Sequence, residues 1–136
     1  MNARKDKDLD ISRVGVIAES ESSIYAIRLA SENPNYRTVI LRNPSLVFDK
    51  QKFSLIKAKF LLVLATKKYE AERLEQFKTQ LKKAQIQFVL VNSDSNDRFY
   101  DLSQAKRYVA SDAETYKTSF YEFIKRFLTL EIAAKY

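Results

Sequence analysis

The sequence predicts an α/β domain of three layers, with a five-stranded parallel sheet and helices on both of its faces. Short β-branched or apolar runs alternate with helical segments in the order β-α-β-α-β-α-β-turn-β-α. Strands and helices that alternate in this way pair in parallel through right-handed crossovers. The run at residues 60–65 is apolar throughout, which is typical of a central parallel strand that is buried on both faces.

The individual elements follow from hydrophobic patterning and from residues that begin or end helices. The five predicted strands are residues 13–18, 37–41, 60–65, 86–91 and 107–110. The predicted helices are the segment between Ser20 and Asn33, and residues 49–57, 69–84 and 116–134. Ser20 or Ser22 can cap the first helix, and Pro34 ends it. We therefore expect a flexible arm at residues 1–12, followed by one domain over residues 13–136.

Composition narrows the classes of function. The chain of 136 residues is 46% hydrophobic, which predicts one globular core. It contains no cysteine and no histidine, so thiol chemistry, the commonest general base and the commonest metal ligand are missing. We predict no metal and no cofactor. No apolar run approaches the roughly 20 residues of a membrane span, and we expect a cytoplasmic protein with no membrane partner.

Charge is compatible with two interpretations. The formal net charge is +7, which attracts phosphate in a ligand or in nucleic acid. The lysines are, however, spread along the chain and mixed with acids. We therefore interpret the excess of positive charge as a solvated, lysine-rich surface. We do not expect this domain to bind nucleic acid by itself.

The only glycine of the chain, Gly15, lies inside the first predicted strand rather than in a loop. Phosphate-binding loops use glycine because its backbone can approach an anion closely. The turn that follows this strand, residues 19–23, contains serines and acids but no glycine. We therefore expect that either side chains hold an anionic ligand at this turn or that the pocket has been lost.

Polar side chains follow three of the predicted strands, and they form the predicted ligand site: Ser20, Ser22, Ser23, Thr66, Lys67, Lys68, Asn92 and Ser93. Ligands of parallel sheets bind beyond the carboxyl ends of the strands, where the strand order switches, and we expect the three loops to converge there. The alternatives are helix capping for the serines and a solvated helix start for the two lysines. We predict no catalytic residue, because Glu19 and Glu21 are more simply explained as acids at a helix start.

The order of these segments resembles a sugar isomerase (SIS) domain, a phosphosugar-binding module. Residues 18–22, Ala-Glu-Ser-Glu-Ser, lie where that family has G-x-G-x-S, and residues 65–70, Ala-Thr-Lys-Lys-Tyr-Glu, lie where it has S-x-S-G-x-T. The chain departs from the family at the motif glycines, which correspond to Ala18, Ser20 and Lys68. The resemblance implies a flavodoxin-like, Rossmann-type sheet. It is nearest to the C-terminal effector domain of RpiR-type transcriptional regulators, which reach DNA through a helix-turn-helix domain not found in this sequence.

The resemblance implies a non-catalytic effector domain that binds a sugar phosphate or a related carbohydrate derivative. The last predicted helix is apolar over much of its circumference, so we expect a homodimer formed through it. One alternative is a degenerate SIS domain that serves only as a dimerisation scaffold. A second alternative is a sugar-phosphate isomerase.

Overall fold

The computed structural model describes residues 14–47, 50–93 and 110–126. In chain order the elements are β1 (Val14–Glu19), α1 (Ser22–Glu32), β2 (Tyr36–Arg42), α2 (Lys50–Phe53), β3 (Lys59–Ala65), a short 3₁₀ turn (Thr66–Lys68), α3 (Ala71–Lys83), β4 (Phe88–Ser93) and α4 (Ala110–Ile124). The predicted arm at residues 1–12 lies outside the described residues.

The described strands form one parallel sheet whose spatial order, β1-β2-β3-β4, is the same as the order along the chain. In the register, Ile17 pairs with Ile40, and Leu41 pairs with Leu62. The predicted α/β class with a parallel sheet is confirmed, but the described sheet has four strands rather than five. Of the predicted fifth strand, residues 107–109 lie outside the described residues, and Ala110 is the first residue of α4.

Strand β3 is the centre of the core, because its apolar side chains point alternately to the two faces of the sheet. Phe60, Leu62 and Leu64 pack in a cluster with side chains of α1, α2 and α3. Leu61 and Val63 pack on the opposite face in a cluster with side chains of α4. Right-handed crossovers that all step in one direction put their helices on one face, which explains why α1, α2 and α3 share a layer while α4 covers the other.

Helix α3 illustrates how the sequence pattern produces this packing. Leu74, Phe77 and Leu81 recur at helical spacing and are the buried residues of the helix, so one stripe faces the sheet. Phe77 packs edge to face against Phe53 of α2, with 5.9 Å between the ring centroids. Helices α2 and α3 therefore pack against each other on the same face of the sheet.

No helix within residues 14–47, 50–93 and 110–126 is both long enough and apolar enough to cross a membrane. The cytoplasmic location stays a prediction.

Candidate functional site

A cleft of about 430 Å³ opens at the carboxyl edge of the sheet. Its walls come from the turn after β1, the loop after β2 and the start of α3, and the lining residues are Ser20, Glu21, Asn43, Pro44, Ser45, Leu46, Val47, Lys68, Tyr69, Glu70 and Arg73. Because parallel strands all end at the same edge, loops that are distant in sequence meet there. The cleft is the candidate functional site.

The turn between β1 and α1 has an unusual backbone conformation. Ser20 has a φ of 51°, in the left-handed region, which costs a non-glycine residue roughly 1–2 kcal/mol. Its N–H donates to the carbonyl of Arg42 at 3.1 Å, and its carbonyl accepts from the N–H of Ser45 at 3.0 Å. The left-handed residue allows strand β1 to turn sharply into helix α1 and brings Ser20 to the cleft.

Ser23 holds this turn in place through hydrogen bonds. It is completely buried, and its hydroxyl donates to the Ser20 carbonyl at 2.6 Å. The same hydroxyl oxygen accepts from the N–H of Ser45 at 3.0 Å. One buried side chain thus connects the β1–α1 turn to the loop after β2.

Ser20 is partly buried and lines the cleft, and its hydroxyl forms no hydrogen bond among the described residues. The N–H of the next residue, Glu21, likewise has no hydrogen-bond partner in that part of the chain, and α1 begins directly after it. The first amides of a helix lack partners within the helix and carry partial positive charge. A hydroxyl and a backbone donor thus stand side by side at the cleft.

The opposite wall depends on Asn43, which is not among the site residues predicted from the sequence. Asn43 is completely buried and has a φ of 44°. Its side-chain oxygen accepts from the N–H of Ala65 at 2.7 Å, and its own N–H donates to the carbonyl of Val63 at 2.7 Å. Nearby, the hydroxyl of Tyr69 donates to the carbonyl of Pro44 at 2.8 Å. These bonds join the loop after β2 to the end of β3 and to the start of α3.

The charges that line the cleft balance. Lys68 and Arg73 are cationic, whereas Glu21 and Glu70 are anionic. A strongly anionic ligand would meet repulsion as well as attraction in such a cleft. Within the described part of the chain, no group of three or more acidic side chains could hold a metal ion.

Two of the eight predicted site residues, Ser20 and Lys68, line this cleft. Ser22 is exposed on the first turn of α1, and Lys67 is exposed in the 3₁₀ turn. Ser23 is buried, and its hydroxyl donates to the Ser20 carbonyl. The ligand roles assigned to these residues from the sequence stay predictions.

The other three predicted residues lie around the end of β4. The Thr66 hydroxyl donates to the carbonyl of Ser93 at 3.0 Å, and the Ser93 hydroxyl donates to the Asp112 carboxylate at 2.5 Å. Asn92 is exposed. Within the described sheet, β1 and β4 are opposite edges and the strands follow the order of the chain. The expected convergence of three loops at a switch in strand order is therefore not found among the described strands. These hydroxyls connect β4 to its neighbours instead.

A second polar group lies on the α4 face of the sheet and was not predicted from the sequence. Glu19 Oε2 and Arg42 Nη2 are 3.5 Å apart, and both side chains are partly exposed. Burial raises the pKa of the Tyr116 hydroxyl above its ordinary value of 10.0, while a hydrogen bond from Arg42 and its charge act in the opposite direction. The group connects Tyr116, in the middle of α4, to the ends of β1 and β2.

Comparison with solved structures finds, within the α/β class, a fold other than that of the SIS domains that the sequence resembles. The similar structures are dienelactone hydrolase-like proteins, which have an α/β-hydrolase fold. No protein-family model and no curated protein matches the chain.

Two of these structures show how similar the folds are. One is a dienelactone hydrolase-like promiscuous phosphotriesterase from metagenomic libraries, with a TM-score of 0.77 and 12% identity over 91% of this chain and 56% of that protein. The other, m3DLH, has a TM-score of 0.78 and 10% identity over 93% of this chain and 57% of that protein. The chain therefore spans little more than half the length of these neighbours, and at such identities the likeness shows the fold alone.

The resemblance to SIS domains is therefore wrong, and with it the RpiR-type regulator, the phosphosugar effector function and its scaffold and isomerase alternatives. The expectation of a protein that is not an enzyme is overturned as well, because the neighbours are hydrolases. The strand order gives the physical reason. A flavodoxin-like sheet has the order 2-1-3-4-5, with its first strand inside the sheet, whereas β1 here pairs with β2 at one end of the described sheet.

Proposed function

We propose that this chain is an α/β-hydrolase-fold domain that cleaves an ester, with Ser20 as the nucleophile. The observation that carries the proposal is the left-handed backbone of Ser20 on a sharp strand-to-helix turn that opens into the cleft. In α/β hydrolases the nucleophile occupies such a turn at the carboxyl end of a strand. The structural neighbours, which include a dienelactone hydrolase-like phosphotriesterase, support ester cleavage as the reaction class.

The local sequence supports the same role. The nucleophile turn of these enzymes has the pattern G-x-S-x-G, since small residues are needed on both sides of a tightly turned serine. Here Ala18 and Ser22 stand two residues before and two residues after Ser20. Alanine and serine are the smallest side chains after glycine, so the pattern of a central serine between two small residues is retained.

A hydrolase of this kind also needs a donor for the negative oxygen that develops during attack. In the fold class, the N–H of the residue after the nucleophile supplies one such hydrogen bond. The corresponding group is the N–H of Glu21, which forms no hydrogen bond among residues 14–47, 50–93 and 110–126. We assign it to the developing oxyanion.

This chain contains no histidine, so a proton acceptor that the chain itself supplies is a residue of another type. Serine nucleophiles are also activated by lysine in some enzymes, and Lys68 lines the same cleft as Ser20. We assign Lys68 to this role. The amine of Lys68 takes the Ser20 hydroxyl proton as the Ser20 oxygen attacks the ester. It returns the proton to the departing alcohol, and water then cleaves the serine ester and regenerates Ser20.

Turnover of two ester classes tests the proposal. The purified chain is assayed with p-nitrophenyl acetate and with diethyl p-nitrophenyl phosphate. Ser20→Ala is expected to lower kcat by roughly 10³-fold or more. Ser22→Ala should leave kcat unchanged, because Ser22 is exposed and does not line the cleft. Lys68→Met should lose activity and Lys67→Met should keep it. Equal rates for Ser20→Ala and the unchanged protein, or no turnover of either ester, would contradict the proposal.

A further inference from the structure

The buried face of α1 contains one residue that packing does not explain. Its buried residues are Ser23, Ala26, Ile27 and Ala30, and Ser23 is the only polar one. An alanine at this position would fill nearly the same space, as Ala26 and Ala30 do further along the helix. The hydroxyl of Ser23 therefore contributes hydrogen bonds rather than packing volume.

Those hydrogen bonds do not cap the helix. The N-cap residue of α1 is Glu21, and it has no side-chain capping bond. The hydroxyl of Ser23 instead points back to the Ser20 carbonyl at 2.6 Å. That carbonyl also accepts from the backbone N–H of Ser23 at 3.2 Å and of Ser45 at 3.0 Å. Three donors thus converge on the carbonyl of the one left-handed residue in the turn.

The same hydroxyl reaches the wall of the cleft. Its oxygen accepts from the N–H of Ser45 at 3.0 Å, and Ser45 is followed by Leu46 and Val47, which line the cleft. A residue that holds both the turn and the wall sets the position of the Ser20 hydroxyl relative to a bound substrate. Misplacement of a nucleophile by about 1 Å can cost roughly 10²-fold in rate.

We propose that Ser23 is a positioning residue for Ser20. Its hydroxyl holds the Ser20 backbone in the left-handed conformation and fixes the turn against the loop after β2. This inference rests on the proposed function of Ser20 as the nucleophile, but the hold on the turn can be measured without turnover.

The chain offers a closely matched control in the same helix. The hydroxyl of Ser31 donates to the carbonyl of Arg28 at 2.7 Å, again across three residues, but it is at the other end of α1 and away from the cleft. Ser23→Ala and Ser31→Ala thus remove the same kind of bond from two ends of one helix. Ser23→Cys restores a weak donor of similar size at the first position.

Two readouts separate positioning from general stability. The first is the rate at which an alkyl fluorophosphonate modifies the folded protein at 25 °C, together with kcat and KM for p-nitrophenyl acetate. The second is amide hydrogen exchange of Ser45 by NMR. For Ser23→Ala we expect a 10- to 100-fold lower modification rate and kcat and faster exchange of the Ser45 amide, with KM changed by less than about 3-fold. Ser31→Ala should match the unchanged protein, and Ser23→Cys should recover part of the rate.

A Ser23→Ala variant that unfolds at lower urea but keeps both the modification rate and the Ser45 exchange rate would overturn the inference, because Ser23 would then be merely structural. If the unchanged protein is not modified at all, the proposed function fails. The exchange rate of the Ser45 amide then tests by itself whether Ser23 holds the turn in place. Faster Ser45 exchange in Ser23→Ala but not in Ser31→Ala still supports the hold on the turn, and equal exchange overturns it.

Discussion

Replacing Asn43 should reveal how much the carboxyl edge of the sheet depends on one buried side chain. In Asn43→Ala, the N–H of Ala65 loses the acceptor that now lies 2.7 Å away, in a completely buried position. A buried donor left without a partner costs about 1–3 kcal/mol. The φ of 44° at this position costs an alanine a further 1–2 kcal/mol or so. The sum is a loss of about 2–5 kcal/mol in the free energy of unfolding.

Asn43→Gly separates the two contributions, because glycine accepts a positive φ without strain but cannot bind the Ala65 amide. It should lose about 1–3 kcal/mol, less than the alanine variant. Asn92→Ala, at an exposed asparagine, should stay within about 0.5 kcal/mol of the unchanged protein. Urea unfolding followed by circular dichroism measures all three. Equal stabilities for the alanine and glycine variants would refute the backbone argument, and stabilities equal to the unchanged protein for both would refute the hydrogen-bond argument as well.

Two further predictions concern the core and the α4 face. Leu62→Ala, in the completely buried centre of β3, should cost about 2–5 kcal/mol, whereas Leu55→Ala, at a side chain that is 59% exposed, should cost well under half as much; similar urea midpoints would contradict the assigned core. The raised pKa of Tyr116 means that the unfolded chain loses this proton first as pH rises above about 10, so stability should fall there. Tyr116→Phe should have a shallower decline of the thermal midpoint between pH 9 and 11, and an unchanged slope would argue against a buried, protonated Tyr116.

Local patterning predicted much of the secondary structure. Residues 60–65 were expected to be a strand buried on both faces, and β3 spans Lys59–Ala65 with both sides packed. The stripe of Leu74, Phe77 and Leu81 likewise predicted the face that α3 buries. Such features depend on residues within a few positions of one another. Strand β1 and helix α3 were accordingly predicted to within about two residues of their bounds.

The order of the strands was not predictable in the same way. Alternation of strands with helices is shared by flavodoxin-like sheets and hydrolase sheets, and the choice between them depends on which strands pair across the sheet. The start of α4 at Ala110 was also missed, because residues 107–110 have the β-branched and aromatic composition of a short strand. These errors led to the wrong family.

The candidate site was partly visible in the sequence. The segment Ala18 to Ser22 was singled out, but its spacing was compared with a pattern that ends in serine rather than one centred on serine. A serine before a helix also usually indicates a cap. Only the left-handed φ of Ser20 distinguishes a sharply turned nucleophile from a capping residue, and no local rule assigns such a φ to serine.

Covalent labelling of Ser20 tests the central claim most directly. The chain is incubated with an alkyl fluorophosphonate, which phosphonylates activated serines with loss of fluoride, and the product is analysed by intact mass and peptide mapping. The proposal predicts a single adduct on Ser20, retained in Ser22→Ala and absent from Ser20→Ala. An unlabelled protein, or a label distributed over several of its other serines, would contradict the assignment of Ser20 as the nucleophile.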